Sequence, residues 1–211
     1  MLNFFTNLIT SLKYVLLYYV IAYLLYFIRK LYAGNNKSIM IVLGSGGHTA
    51  ELLIMLKKLD LKKFTNIIYV YSHNDVSSYK KISETITIPN EIVSRVKYQQ
   101  VYRSRNVGQS YFTSIFTTIL AFFHSCYIIF FHRPNLIVTN GPGVSLPLCY
   151  IGYIFNKLFI LIEFKILFIE SFCRTASVSL SGKLLKPICN KFIVLWKSLE
   201  SKKNTYLEKI L

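Results

Sequence analysis

The stretch IMIVLGSGGHTAELL, residues 39 to 53, most strongly constrains how this chain can fold. An apolar run, Ile39–Leu43, leads directly into Gly44-Ser45-Gly46-Gly47-His48-Thr49, and apolar residues at helical spacing follow. A strand, a glycine turn and a helix start in this order are typical of α/β proteins that bind phosphate, because free backbone amides and the positive helix end attract anions. The stretch therefore predicts a phosphate site at the turn, with a structural glycine turn as the alternative.

Two common nucleotide-binding fingerprints do not fit this turn. A dinucleotide-binding turn requires a third glycine or alanine where Thr49 stands, and the Walker motif requires Gly-Lys-Ser/Thr. An oxidoreductase would also need an acidic residue near the end of the second strand, where Asp75 is a weak match. The turn is therefore interpreted as a diphosphate cradle of another kind. His48 is a candidate general base, or a neutral donor to a phosphate oxygen.

Strand-like and helical runs alternate along the rest of the chain. Strands are predicted at Ile39–Leu43, Asn66–Tyr71, Val96–Val101, Leu136–Thr139, Ile166–Ile169 and Phe192–Leu195. Helices are predicted at Thr49–Leu59, Val76–Ser83, Ser110–Phe131, Ser145–Asn156 and Leu180–Cys189. This alternation predicts a Rossmann-like α/β fold, with a parallel sheet covered on both faces and a ligand site at the carboxyl ends of its strands.

Other strand ends supply further candidate site residues. A second glycine-rich turn, Thr139-Asn140-Gly141-Pro142-Gly143, precedes an apolar helix. Glu170 follows the fifth strand and is a candidate carboxylate, with an ion pair to Arg174 as the alternative. Arg103 and Arg105 lie two positions apart on an extended segment, which suits a phosphate clamp, although a solvated basic loop is also consistent with them.

The amino-terminal run from residue 8 to 28 is apolar except for Lys13. A helix of this length spans about 30 Å, the thickness of a bilayer's hydrocarbon core. A retained transmembrane anchor is favoured over a cleaved signal sequence, because Arg29-Lys30 follow the run and no small-residue cleavage site does. The positive-inside rule then places the body in the cytoplasm. We expect an anchor and linker at residues 1–36 and an α/β domain at residues 37–211.

A second apolar run, Tyr111–Phe131, contains no Asp, Glu, Lys or Arg. Small and polar residues recur along one side of it, opposite large apolar residues. This pattern favours a long crossover helix over a second membrane span, and leaves open whether the helix touches the membrane. A single-pass protein is therefore expected.

Charge and composition narrow the partners. The chain has 25 Lys+Arg against 9 Asp+Glu, and 53% of its residues are hydrophobic. A basic, apolar chain is suited to a membrane surface, and its scattered basic residues argue against a nucleic-acid partner. The four cysteines show no metal-binding spacing, so we expect buried free thiols in a reducing compartment, with no metal or other cofactor.

Five segments together resemble a single family over residues 38 to 211: VLGSGGHTAELL, YRSRNVGQSYFTSIFTT, TNGPGVSLPLCYIG, IESFCRTASVSLSGKLL and YLEKIL. The family is the membrane-anchoring subunit of the eukaryotic UDP-N-acetylglucosamine transferase, which adds the second sugar to dolichyl-diphosphate-N-acetylglucosamine. The resemblance implies the acceptor-side half of a two-protein GT-B glycosyltransferase. It would be tethered to the endoplasmic reticulum, face the cytosol and act only with a soluble donor-binding subunit. A purely non-catalytic scaffold for that partner is the alternative.

The resemblance also implies roles for individual residues. The bacterial enzyme that makes lipid II is similar in plan and holds the lipid diphosphate in its glycine loops. The acceptor diphosphate is accordingly expected at Gly44, Ser45, Gly46, Gly47, Thr49, Asn140, Gly141, Pro142, Gly143, Arg103 and Arg105. Inversion at the donor sugar requires a general base, for which His48 is the first candidate and Glu170 the second.

The carboxyl-terminal YLEKIL carries apolar residues at helical spacing, namely Tyr206, Leu207, Ile210 and Leu211. A small domain would leave such a stripe exposed unless something covers it. The stripe either folds back on this chain's own sheet or docks on the donor-binding partner. The two-chain plan favours the partner.

Overall fold

Seven parallel strands form one sheet in the computed structural model of the chain, which describes all residues except 1, 35, 36, 58, 74, 87, 105–107, 142, 203 and 207–211. The strands are β1 (Ser38–Val42), β2 (Asn66–Ser72), β3 (Val96–Val101), β4 (Leu136–Thr139), β5 (Lys165–Ile169), β6 (Lys191–Val194) and β7 (Thr205–Tyr206). Their spatial order is β3-β2-β1-β4-β5-β6-β7. The order reverses between β1 and β4, and open α/β sheets bind ligands in the crevice beyond the strand ends at such a reversal.

Helices precede and connect the strands. They are α1 (Leu2–Tyr32), α2 (Gly47–Leu56), α3 (Val76–Thr85), α4 (Asn90–Val93), α5 (Tyr111–His132), α6 (Ser145–Lys157) and α7 (Leu180–Leu185). All five residues of β1 are buried, because helices cover both faces of the sheet. One core cluster contains Leu52 of α2 and Ile82 of α3, and the other contains Ile128 of α5 and Leu148 of α6. The predicted Rossmann-like fold is confirmed.

Tyr206 differs from its predicted helical form. Thr205 and Tyr206 form β7, which pairs in parallel with β6. The ring of Tyr206 is half-buried against the core cluster that contains Ile128. Pairing with an open sheet edge outweighs the local helical pattern here. The other predicted docking residues, Leu207, Ile210 and Leu211, lie outside the described residues.

Helix α5 is the predicted crossover, which links β3 to β4 and packs against α6. Its small residues face inward, since Ala121 and Ser125 are fully buried. Ile128 and Ile129 are buried on the same inward side, whereas other large apolar side chains lie exposed along the opposite side: Phe112, Ile115, Phe116, Ile119, Leu120, Phe123, Tyr127, Phe130 and Phe131. Two helical stretches, Phe4–Tyr32 and Phe112–His132, are long and apolar enough to cross a membrane.

Candidate functional site

The first glycine turn joins β1 to α2 at the carboxyl edge of the sheet. Gly46 has a φ of 61°, in the left-handed region that glycine adopts without strain. Among the described residues no side chain caps α2, so the amides of its first turn are free to bind an anion. A Cβ on Gly46 or Gly47 would meet no atom within 4 Å, so the space above the turn is open.

Buried hydroxyls support this turn from below. The Oγ1 of Thr49 donates to the main-chain oxygen of Gly44 at 2.9 Å, and the Oγ of Ser78 lies 3.1 Å from the same oxygen. Ser78 is held in turn by Asp75, whose carboxylate accepts its backbone N–H at 3.1 Å. Thr49 is fully buried, so its side chain shapes the turn and does not face a ligand.

The carboxylate of Asp75 holds Ser78 in place beneath the turn. Burial raises its pKa, but hydrogen bonds from Ser77 and Ser78 outweigh that effect, and the pKa lies below its ordinary value. Arg103 adds a smaller lowering effect on the pKa. The Nε of Arg103 donates to the Oγ of Ser72 at 2.8 Å, so its guanidinium lies at the end of β2. Arg105, the second arginine of the predicted clamp, lies outside the described residues.

The second glycine turn is tied to the first. Asn140 is buried, and its Nδ2 donates to the main-chain oxygen of His48 at 2.6 Å. Gly141 has a φ of 77°, and a Cβ there would lie 2.5 Å from the Cε2 of Phe168. Only glycine fits this position without displacing the ring. Pro142 lies outside the described residues, and Gly143 is exposed beyond the turn.

His48 faces a carboxylate that the sequence-based prediction omitted. Its Nδ1 lies 3.9 Å from the Oε2 of Glu51, one turn further along α2. This distance is too long for a hydrogen bond, and neither atom has a hydrogen-bond partner among the described residues. The other oxygen of Glu51 accepts from the Oγ of Ser171 at 3.2 Å and from the Sγ of Cys173 at 3.7 Å. The available signal was the position of Glu51 in the first turn of the predicted helix, three residues after His48.

Glu170, the second candidate base, is 1% exposed and is used as an acceptor on both oxygens. Its Oε1 accepts from the backbone of Ser171 at 3.0 Å. Its Oε2 accepts from the backbone and the hydroxyl of Ser179 at 2.9 and 3.1 Å. Within the described part of the chain no ion pair joins it to Arg174. Glu170 therefore fixes the segment between β5 and α7.

The thiols differ in part from the prediction of buried cysteines. Cys149 is buried, and burial raises the pKa of its thiol well above the usual range. Burial also raises the pKa of Cys189 to about 12. Cys173, however, is exposed, because it lies in the irregular segment after β5 rather than in an element of the core. All four thiols are free.

Two cavities flank the glycine turns. One, of about 650 Å³, extends between α5 and α6 from Gly44 and Ser45, and its walls include Arg103, Phe122 and Gly143. The other, of about 590 Å³, is lined by His48, Glu51, Asn140, Gly141, Glu170 and residues of the 171–181 segment. The arrangement can hold an extended anion over the turns, with apolar side chains on one side and the imidazole of His48 on the other.

Comparisons with known proteins identify relatives of this chain. The family model described as "Oligosaccharide biosynthesis protein Alg14 like" matches residues 39–210. The UDP-N-acetylglucosamine transferase subunit ALG14 of Candida albicans is 42% identical over 159 residues, which cover 75% of this chain and 70% of that protein. The human protein of the same name is 34% identical over 184 residues, which cover 84% of this chain and 84% of that protein.

A solved structure supports the fold alone. The crystal structure of Acinetobacter baumannii MurG matches with a TM-score of 0.58 at 12% sequence identity. The match covers 81% of this chain and 45% of the MurG chain, so the chain spans less than half of that protein. The sheet therefore has the architecture of a GT-B glycosyltransferase domain.

Proposed function

The chain belongs to the Alg14 family of UDP-N-acetylglucosamine transferase subunits, and we propose that it is the acceptor-binding, membrane-anchoring half of a two-protein glycosyltransferase. The acceptor is dolichyl-diphosphate-N-acetylglucosamine, and a soluble partner subunit binds UDP-N-acetylglucosamine. The relatives are themselves named as subunits, which supports a partner. The glycine turns and their two cavities support an acceptor site on this chain.

The acceptor diphosphate binds over the first glycine turn in this proposal. The open space above Gly46 and Gly47 and the free amides of α2 support this position. The guanidinium of Arg103 supplies positive charge at the wall of the larger cavity. That cavity has apolar side chains from α5 and α6, which suit the first isoprene units of the lipid.

His48 is the general base. An acceptor hydroxyl attacks the anomeric carbon of the donor sugar, the new C–O bond forms as the bond to the UDP phosphate oxygen breaks, and configuration inverts. The hydroxyl proton passes to the Nε2 of His48, while the Nδ1 faces Glu51. Glu51 is a positioning residue, since its unpartnered Oε2 lies 3.9 Å from the Nδ1 and stabilises the imidazolium that forms. Glu170 is less suited because its oxygens already accept three hydrogen bonds.

Helix α1 anchors the body at the endoplasmic reticulum with the site in the cytosol. Arg29 and Lys30 in its last turn support this orientation. The exposed apolar side of α5 lies against the same membrane surface, which places the larger cavity beside the lipid.

The hydrogen bond from Asn140 to the His48 backbone carries the proposal, because it joins both glycine turns to the candidate base. The test reconstitutes the full chain with its soluble partner in vesicles and measures transfer of labelled N-acetylglucosamine to the lipid diphosphate. His48→Ala should lower transfer by about 10²-fold or more without releasing the partner. His132→Ala, on the last turn of α5, is the control. Wild-type transfer by His48→Ala would favour the non-catalytic scaffold.

A further inference from the structure

The segment that follows α6 contacts the anchor helix through residues with unusual backbone conformations. Phe159 and Glu163 have φ values of 59° and 51°, although neither is glycine. The left-handed region is unfavourable for such residues and is retained where surrounding contacts determine it. Both residues contact α1. We call residues 158–163 the clasp.

Aromatic, hydrogen-bonding and ionic contacts join the clasp to α1. The ring of Phe159 lies among the rings of three tyrosines of α1, at centroid distances of 6.3 Å to Tyr19, 5.5 Å to Tyr23 and 5.7 Å to Tyr26. The Nη2 of Arg29 donates to the main-chain oxygen of Phe159 at 2.5 Å. A few residues on, the Nζ of Lys30 lies 3.0 Å from the Oε1 of Glu163.

The clasp is also fixed to the body. The backbone N–H of Ile160 donates to the main-chain oxygen of Phe155 in α6 at 2.8 Å. The Nδ2 of Asn135, just before β4, donates to the main-chain oxygen of Ile162 at 2.8 Å. The clasp therefore connects α1 to the sheet, in addition to the covalent linker between α1 and β1.

The position of these contacts along α1 indicates their depth. Tyr19 and Tyr26 precede the basic pair Arg29-Lys30 by about three turns and one turn, so they lie about 15 Å and 5 Å above Arg29 along the helix. One leaflet of a bilayer contributes about 15 Å of hydrocarbon. Phe159, which contacts both tyrosines, therefore lies within the cytosolic leaflet if α1 spans the membrane.

We propose that the clasp inserts Phe159 and Ile160 into the cytosolic leaflet beside α1, so that anchor and body form one unit seated at fixed depth in the bilayer. The proposal rests on the membrane anchoring proposed above. Continuity supports lipid as the occupant, because Phe155 beside the clasp contacts Phe130 on the exposed apolar side of α5. The proposal also explains why α1 carries tyrosines within its apolar run, because they contact the ring of Phe159.

Depth-dependent fluorescence quenching tests the insertion in the full chain. Trp196 is the one tryptophan of the sequence, so Trp196→Phe supplies a background for single-tryptophan variants. Ile160→Trp and Phe159→Trp probe the clasp, and Val93→Trp on the exposed side of α4 is the matched control. Each variant is reconstituted into phosphatidylcholine vesicles whose acyl chains are brominated, and flotation confirms membrane attachment.

We expect the tryptophan fluorescence of both clasp variants to be at least twofold lower in brominated vesicles than in vesicles of unbrominated lipid. The fluorescence of the Val93→Trp control should be the same in both. Vesicle-bound protein with clasp quenching no greater than the control's would overturn insertion while leaving the anchor intact. Blue-shifted emission without quenching would assign the clasp to a protein contact, from a second copy or another chain, and would also overturn the proposal. Failure to float would contradict the anchoring itself, and insertion with it.

Discussion

Single residues at the carboxyl edge of the sheet have separable tasks, some shaping the glycine turns and others facing the open space above them. Thr49, Ser78 and Asp75 act below the first turn, and Gly141 acts where the second turn passes Phe168. His48 and Glu51 line the polar cavity. Substitutions can therefore separate loss of structure from loss of chemistry.

Substitutions at Gly141 and Gly47 should have different effects. Gly141→Ala places a Cβ 2.5 Å from the ring of Phe168 in a left-handed backbone, so it should lower the free energy of unfolding by about 1–3 kcal/mol. Gly47→Val has free space and should fold normally, yet raise the acceptor KM because it obstructs the approach of a phosphate to the amides. Thermal melting and transfer at subsaturating acceptor measure the two effects. Wild-type kinetics for Gly47→Val would refute the cradle.

Glu51→Gln keeps the shape of the side chain and removes its charge. Because the Oε2 lies beside the Nδ1 of His48, we expect kcat to fall by roughly tenfold with little change in the acceptor KM or in thermal stability. Glu84→Gln, at an exposed position of α3, is the matched control. If the fall in kcat is accompanied by a clear fall in melting temperature, Glu51 instead has a structural role through Ser171 and Cys173.

Asp75 should make the free energy of unfolding depend on pH. Its pKa in the folded protein lies below the ordinary value of 3.8, so its charge stabilises the fold above about that pH. This contribution is lost as the pH falls through the folded-state pKa. Asp75→Asn should therefore melt at a lower temperature than wild type at pH 7, and this difference should narrow as the pH falls below ~3.8 and vanish below the folded-state pKa. A gap that is constant between pH 7 and 3 would contradict the linkage.

At the scale of elements, the proposed orientation of the sheet at a membrane depends on α1, α5 and the clasp. Most of the large apolar side chains of α5 point outward, although Ile128 and Ile129 pack into the core, so the helix leaves an extended apolar side uncovered, which is unusual in a water-soluble domain. Helix α1 is exposed along nearly all of its length and contacts the body through Phe159 and Glu163. The geometry of the anchor thus depends on a few contacts.

Phe159→Ala removes the ring that lies among the three tyrosines of α1. The site should stay intact while its height over the bilayer varies, so transfer to a bilayer-embedded acceptor should fall on the order of tenfold. Transfer to a short-chain, detergent-soluble acceptor should stay near wild type. Val93→Ala serves as the control for both substrates. Equal losses on both acceptors would show that the clasp supports the fold of the site rather than its height.

At the scale of the whole molecule, this chain has the fold of one GT-B domain. Its proposed association with a donor-binding subunit can be tested through the carboxyl terminus. Because Tyr206 belongs to β7, a deletion of residues 207–211 leaves the sheet intact. Burial of Leu207, Ile210 and Leu211 on a partner would contribute roughly 1.5–3 kcal/mol each before ordering costs, which shifts affinity by orders of magnitude.

The truncated chain should remain membrane-bound and folded, release the soluble subunit and lose transfer. Co-purification and flotation measure the two properties. Glu208→Ala with Lys209→Ala, which retains the apolar residues, is the control. Undiminished co-purification after truncation would refute partner docking by the tail.

Local pattern alone determined the alternation of strands and helices, the glycine turns and the exposed side of α5. These features depend on hydrophobic periodicity and on glycine within a few residues, so they can be predicted from the chain itself. The placement of His48 and Glu170 in one cavity also followed, because parallel strands end at a common edge.

Only the tertiary structure determined which side-chain atoms of the site are buried or already hydrogen-bonded and which face the cavities. Asn140 reaches the His48 backbone across 92 positions, Ser171 reaches Glu51 across 120, and Arg29 reaches Phe159 across 130. No local pattern encodes such pairs, since each depends on how crossovers pack against the sheet. The same packing buried Thr49, occupied both oxygens of Glu170 and drew Tyr206 into β7 against its helical spacing.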